Sequence, residues 1–127
     1  MDYYGVGEEP DAPGTVRFAS FKLEGQTFAS MDSAQAHDFE FNEAFSFIVN
    51  CENQEEIDYY WEALSYVPEA ENCGWLKDKY VVSWQIVPTD MNEMMQPADL
   101  EKLARVTEAT LKMKKLDLGE LRRVYEG

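Results

Sequence analysis

The chain has 127 residues, 45% of them hydrophobic and 13% aromatic, which is enough apolar content for one folded domain and argues against wholesale disorder. A formal net charge of −14 argues against non-specific nucleic-acid binding, which draws on basic phosphate contacts, and against docking on anionic membranes. No apolar run approaches the ~20 residues of a membrane span. Residues 1–11 lack the basic start and apolar run of a signal peptide, so the cytoplasm is the expected compartment. Two cysteines, Cys51 and Cys73, suit a reducing compartment and are too far apart for a CxxC metal pair.

In chain order, residues 1–14 are polar and turn-rich, which predicts a short strand at 2–4 and then a loop. Residues 15–23 and 26–31 are strand-like runs around Glu24-Gly25, where the glycine permits the positive φ of a tight hairpin. Within the first run, Val16, Phe18, Ser20 and Lys22 share one face, and Arg17, Ala19, Phe21 and Leu23 the other. Residues 32–42 are a polar connection that holds the only histidine, His37. Residues 44–50 predict a further strand, with Phe45, Phe47 and Val49 on one face and Ser46, Ile48 and Asn50 on the other.

Residues 53–65 carry the best-specified helix. Asn53 is placed to cap it, with Glu56 three residues on. Ile57, Tyr60, Trp61 and Leu64 follow the i, i+3, i+4, i+7 rule and form one apolar stripe. A short strand is expected near Glu71. The runs 73–76 and 81–87, separated by Lys77-Asp78-Lys79 and stopped by Pro88, predict a β-hairpin. Residues 90–96 predict a turn or short helix. Pro97 at a first helical position opens a longer helix to about residue 113, with Leu100, Leu103, Ala104, Thr107 and Leu111 on one face. Asp117 and Glu120 make a second capping pair for a terminal helix that carries Leu118, Leu121, Val124 and Tyr125. Residues 1–100 hold 20 acidic and four basic side chains, residues 101–127 five and seven. That basic end either lies on the acidic body or forms a solvated, mixed-sign helix. The order of strands, strand–helix–strands and helices gives an α+β domain with a largely antiparallel sheet.

Three stretches, FSFIVNCENQEEIDYYWEALS, CGWLKDKYVVSWQIVP and KMKKLDLGELRRVYEG, resemble the PhnB-like branch of the vicinal oxygen chelate (glyoxalase/bleomycin-resistance) superfamily, whose families often carry the label 3-demethylubiquinone-9 3-methyltransferase. The resemblance implies paired βαβββ modules enclosing a cavity. On it, residues 1–127 form one domain: 1–43 a partial first module, 44–88 a complete second module and 89–127 a C-terminal helical tail. The opening strand and helix of the first module are not seen ahead of Tyr3. Without them a sheet face carrying Phe18 or Phe21 is uncovered, at a cost of several kcal/mol at ~25 cal/mol per Å2. A homodimer in which a second copy covers that face is the expectation; a fragment or an internal start is the alternative. Relatives usually carry glycine where this chain has Val81, so a positive φ there would strain the valine.

In metal-dependent members of the superfamily, His and Glu on the strands hold a divalent ion. The resemblance puts Ala44 at one His position and Gln85 at the final Glu position, so no cofactor is expected, with Gln85 and His37 the only metal candidates. His37 is also the one catalytic candidate; a lone loop histidine beside Asp38 is more often solvated or hydrogen-bonded. Cys51 and Cys73 have no neighbouring histidine or cation in sequence to activate a thiolate. Ser46, Trp75, Ser83, Trp84 and Gln85 are candidates for an aromatic cavity with polar points, against the plainer alternative that the aromatics are sheet core. No Gly-rich turn joins a strand to a helix as a nucleotide site requires, so the methyltransferase label finds no motif. The functional expectation is a small molecule-binding homodimer of uncharacterised activity. The alternative is a metal-dependent lyase, dioxygenase or isomerase with a site shared between subunits.

Overall fold

A computed structural model describes residues 1–7, 12–33 and 35–127. The chain divides into two compact units, Met1–Glu40 and Phe41–Gly127. The predicted loop over 5–14 lies partly outside the described residues, as does position 34 of the predicted connection.

The first unit is an antiparallel sheet of β1 (Asp2–Tyr3), β2 (Val16–Leu23) and β3 (Gln26–Met31), in that spatial order. The hairpin forms as the sequence predicts: Glu24 and Gly25 both take positive φ, +47° and +78°, the pair that a two-residue turn of matching twist needs. Phe18 faces Met31 across the ladder and Phe21 faces Phe28, the latter rings stacked at 5.8 Å. These two pairs lie on opposite faces of the sheet, and Phe18, Phe21, Leu23 and Met31 are all exposed.

The second unit contains β4 (Phe47–Cys51), α1 (Gln54–Leu64), a 3-10 turn (Pro68–Ala70), β5 (Trp75–Lys77), β6 (Ser83–Pro88) and three further helices, α2 (Met91–Met94), α3 (Leu100–Leu111) and α4 (Leu118–Glu126). Its sheet runs β4-β6-β5, with β4 parallel and β5 antiparallel to β6. Asn53 caps α1 as predicted, its side-chain oxygen accepting from the Glu56 N–H at 2.9 Å. Glu56 reaches back to the Glu52 N–H, one residue beyond the usual capping-box partner. Ile57 and Trp61 bury against Cys51, Leu76 and Ile86, which fixes the face of the sheet that α1 covers.

Five sequence expectations shift. Ala44 and Phe45 form a turn and not the start of β4, because the Asn42 side chain accepts from the Ala44 N–H at 2.9 Å and closes the chain locally. Cys73-Gly74 is likewise a two-residue turn, at φ +52° and +83°, with Asn72 and Trp75 exchanging both backbone hydrogen bonds. The strand expected near Glu71 is reduced to that single bridge. Helix α3 starts at Leu100 because Asp99 accepts from the Glu101 and Lys102 N–H groups and caps better than Pro97. Its buried face is also rotated: Leu100 and Leu111 are exposed, while Val106 buries with Met94, Leu116 and Leu121.

Val81 has φ +67°, as the resemblance anticipated. It ends a three-residue loop in which its N–H returns to the Asp78 carbonyl at 3.0 Å and Asp78 N–H bonds Val82 O at 3.0 Å. Left-handed backbone costs an L-residue about 1–2 kcal/mol. Asp78 offsets that strain: its carboxylate accepts from the Tyr80 and Val82 N–H groups and from the Trp84 indole, at 2.8, 3.0 and 2.9 Å.

The tail is part of this unit's core. Leu118 joins the cluster under α1, and Gln54 both donates to the Leu116 carbonyl and accepts from the Leu118 N–H. Lys115 pairs with Asp58 and Arg122 with Asp90, both at 2.7 Å, so basic tail residues do lie on acidic partners. Asp117 caps α4 through the Glu120 N–H. Among the described residues, no helix is long and apolar enough to cross a membrane.

Candidate functional site

The β4-β6-β5 sheet has one face under α1 and one face without it. Register sorts the candidates between them. Lys77 pairs with Ser83, Trp75 with Gln85 and Ile48 with Gln85, so these side chains share the face away from α1. Ser46 belongs with them: its hydroxyl accepts from the Gln85 amide at 2.9 Å. Phe47, Leu76 and Trp84 stand in one row on the helix side. Trp84 is therefore set apart from the other four predicted ligand residues. It packs on Phe47 at 5.0 Å between ring centroids and donates to Asp78, which are structural tasks.

On the open face lies a cavity of about 420 Å3, lined by Glu43, Ala70, Asn72, Trp75, Lys77 and Ser83 among others. That volume falls in the ~300–1,000 Å3 range of small-molecule sites. The structure brings Trp75 and Ser83 together here, while Ser46 and Gln85 sit one ladder step away. Ser83 is 1% exposed, and its hydroxyl has no hydrogen-bond partner among the described residues. Most buried polar atoms are paired, so an orphan on a cavity wall is a position where an incoming polar group gains a bond that no described protein group supplies.

Glu43, Asn72 and Lys77 were missed by sequence reasoning. Lys77 read as a turn residue between two apolar runs, whereas β5 extends through it. The available signal was its spacing of two from Trp75, which puts both on one strand face. Lys77 pairs with Glu43 at 2.5 Å, the lysine side chain 17% exposed and the glutamate 65%. The hydrogen bond from Lys77 is the main reason the Glu43 carboxyl is held below its ordinary range, with a backbone N–H and the lysine charge adding to it.

His37 belongs to the first unit. It is exposed, its Nε2 lies 2.8 Å from the Ser33 hydroxyl and its ring stacks on Phe39 at 4.8 Å. The residues do not fit a divalent metal. Ala44 presents a methyl group from a turn, Gln85 offers only a neutral carbonyl oxygen since its amide nitrogen donates to Ser46, and among the described residues no three His, Cys, Asp or Glu side chains converge. Cys51 is buried, and burial, helped by the Glu56 charge, pushes its thiol up to about 11. That is the opposite of what a nucleophile needs.

The sequence pattern of the 3-demethylubiquinone-9 3-methyltransferase family matches residues 2–87. A solved PhnB protein from Bacillus cereus, which carries the same methyltransferase name, is 38% identical, with a TM-score of 0.58 over 69% of this chain and 75% of its own. The chain belongs to the PhnB-like family. Its mixed α+β architecture, two small sheets with C-terminal helices, is that of glyoxalase-like modules. No curated protein matches it.

Proposed function

We propose that this PhnB-like protein is a small-molecule-binding homodimer of the cytoplasm, with its ligand in the cavity over β5 and β6. The observation that carries the proposal is the buried, unpartnered Ser83 hydroxyl on the wall of a cavity that Trp75 and Lys77 also line. An indole face, a cation and a free hydroxyl together select a ligand by shape and by one polar end, as small-molecule sites do. The methyltransferase name draws no support from the β4–α1 junction, where Glu52 and Asn53 stand in place of glycines and Glu56 occupies the Glu52 N–H.

The dimer rests on the first unit. Its three strands expose Phe18 and Met31 on one face and Phe21 and Leu23 on the other. A sheet this small gains independent stability only when a hydrophobic face is covered. Free Cys51 and Cys73 and the acidic charge fit a reducing compartment and a partner that is neither nucleic acid nor membrane.

Native mass spectrometry of the purified protein tests this. The expected result is twice the chain mass, bare or with an organic adduct released on denaturation. A monomer overturns the dimer. A stoichiometric divalent ion overturns the metal-free site and favours a lyase, dioxygenase or isomerase.

A further inference from the structure

Lys77 is one of four basic residues in the first 100, and its side chain is largely buried. Lysine is rarely buried unless it is paired. Its partner Glu43 is mostly exposed and lies in a turn before β4, outside the sheet ladder that fixes Lys77. Its carboxylate is held by the Lys77 ammonium and a backbone N–H of its own turn, and an ion pair on a side chain this exposed is worth little, because ordering such a chain costs rotamer entropy. Opposite Lys77 on the ladder stands Ser83, whose hydroxyl is buried and unpartnered. Directly opposed residues of an antiparallel pair have Cβ atoms ~4.5–5.5 Å apart. A carboxylate placed on the Lys77 ammonium in this cavity therefore lies on the same sheet face as the Ser83 hydroxyl. Trp75, two residues before Lys77 on the same face and also lining the cavity, offers a flat apolar surface beside that point.

We infer that the cavity takes a small ligand with a carboxylate or similar anionic head on a planar apolar body, and that Glu43 occupies the anion position until the ligand displaces it. This rests on the cavity being the ligand site. It makes Glu43 an internal competitor: the apparent affinity is lowered by the fraction of molecules in which the Glu43–Lys77 pair is closed. Removing the Glu43 charge thus strengthens binding of an anion, although the whole protein becomes less negative by only one unit.

The probes are 2-naphthoate and its neutral counterpart 2-naphthamide, followed by calorimetry and by 15N-resolved NMR of the full chain. Naphthoate is expected to bind more tightly than naphthamide and to shift the Trp75 and Ser83 resonances. Glu43→Gln is expected to tighten naphthoate by about three- to tenfold and to leave naphthamide unchanged. Lys77→Met keeps the aliphatic stem and is expected to abolish the preference for naphthoate. Ser83→Ala, the least disruptive of the three, is expected to weaken naphthoate alone. Equal binding of the two probes, or naphthoate affinity unchanged by Glu43→Gln, overturns the inference and leaves the cavity as an apolar binding site. Failure of both probes to shift Trp75 or Ser83 overturns the proposed site itself.

Discussion

Gly74→Ala should destabilise the second unit strongly. The position sits at φ +83°, where an added Cβ would lie 3.1 Å from two Leu116 side-chain atoms and 3.2 Å from the Ile86 carbonyl oxygen. Leu116 is 1% exposed and has little room to withdraw, and the carbonyl belongs to β6, which Gly74 itself receives a hydrogen bond from at 2.8 Å. The left-handed backbone costs alanine about 1–2 kcal/mol and the overpacking about 1–3 kcal/mol. The stiffer unfolded chain returns about 0.4–1 kcal/mol. The net loss is about 1–5 kcal/mol. Gly119→Ala supplies the opposite sign from the same chemistry. It lies inside α4, its Cβ would meet only the Asp117 side chain at 3.4 Å, and helix propensity favours alanine by up to about 1 kcal/mol. Urea unfolding followed by tryptophan fluorescence reads both, since Trp61, Trp75 and Trp84 all lie in this unit. A loss below 1 kcal/mol at Gly74 with an unchanged m-value would refute the packing of Leu116 against the turn.

Leu118→Ala should cost about 2–5 kcal/mol, because it opens a cavity beside Ile57, Trp61 and Ile86; the same urea experiment measures it, and a loss under 1 kcal/mol would detach the tail from the core. Asp78→Ala should cost about 2–4 kcal/mol by removing the acceptor of three N–H groups, and a change in Trp84 emission should accompany it. Cys51 has its thiol pushed from 9.0 to about 11 by burial, so its protonated form stabilises the fold fully below pH 9. That contribution, about 3 kcal/mol, is lost as pH rises from 9 through 11, because the unfolded thiol ionises first. Comparing unfolding free energies of the native chain and Cys51→Ala across this range isolates the effect; a constant difference between them would contradict it.

Much of the second unit was legible in the sequence because local and tertiary signals agree there. Asn53 with Glu56, and the Ile57–Trp61 spacing, specify α1 by capping and by periodicity, and the core then uses the same residues. Where two local signals competed, sequence reasoning chose the weaker one. Pro97 suits a helix start, but Asp99 bonds two N–H groups. The Cys73–Leu76 run looked apolar throughout, yet Cys73-Gly74 turns because the Met113 and Lys114 carbonyls take their N–H groups, at 2.8 and 2.7 Å. Those partners are about 40 residues away, and no window of the sequence reveals them. The rotated face of α3 has the same origin, since which side of a mixed helix buries depends on where Met94 and Leu121 arrive. Of the predicted ligand residues, alternation along 81–87 already separates Ser83 and Gln85 from Trp84, and it takes the strand register and a hydrogen bond to add Trp75 and Ser46 to their face. Trp84 was included only because the covered face was unknown. Lys77 was lost with one misplaced strand end.

The family pattern ends at residue 87, but the structure that presents the cavity does not. Strand β5 is only three residues long and supplies both Trp75 and Lys77. A strand of that length holds few ladder bonds, so its position depends on what grips its ends. One end is the Asp78 carboxylate at the Val81 loop. The other is the Cys73-Gly74 turn, whose two N–H groups point to Met113 and Lys114 and whose back presses on Leu116. Residues 113–118 therefore set the placement of the indole and the ammonium as directly as the strand's own pairing does. Disturbing Leu118, which packs in one cluster with Leu76 of β5 and Ile86, should alter ligand preference along with stability, whereas an equally costly change in α3 at Val106, which packs in the other cluster, should lower stability alone.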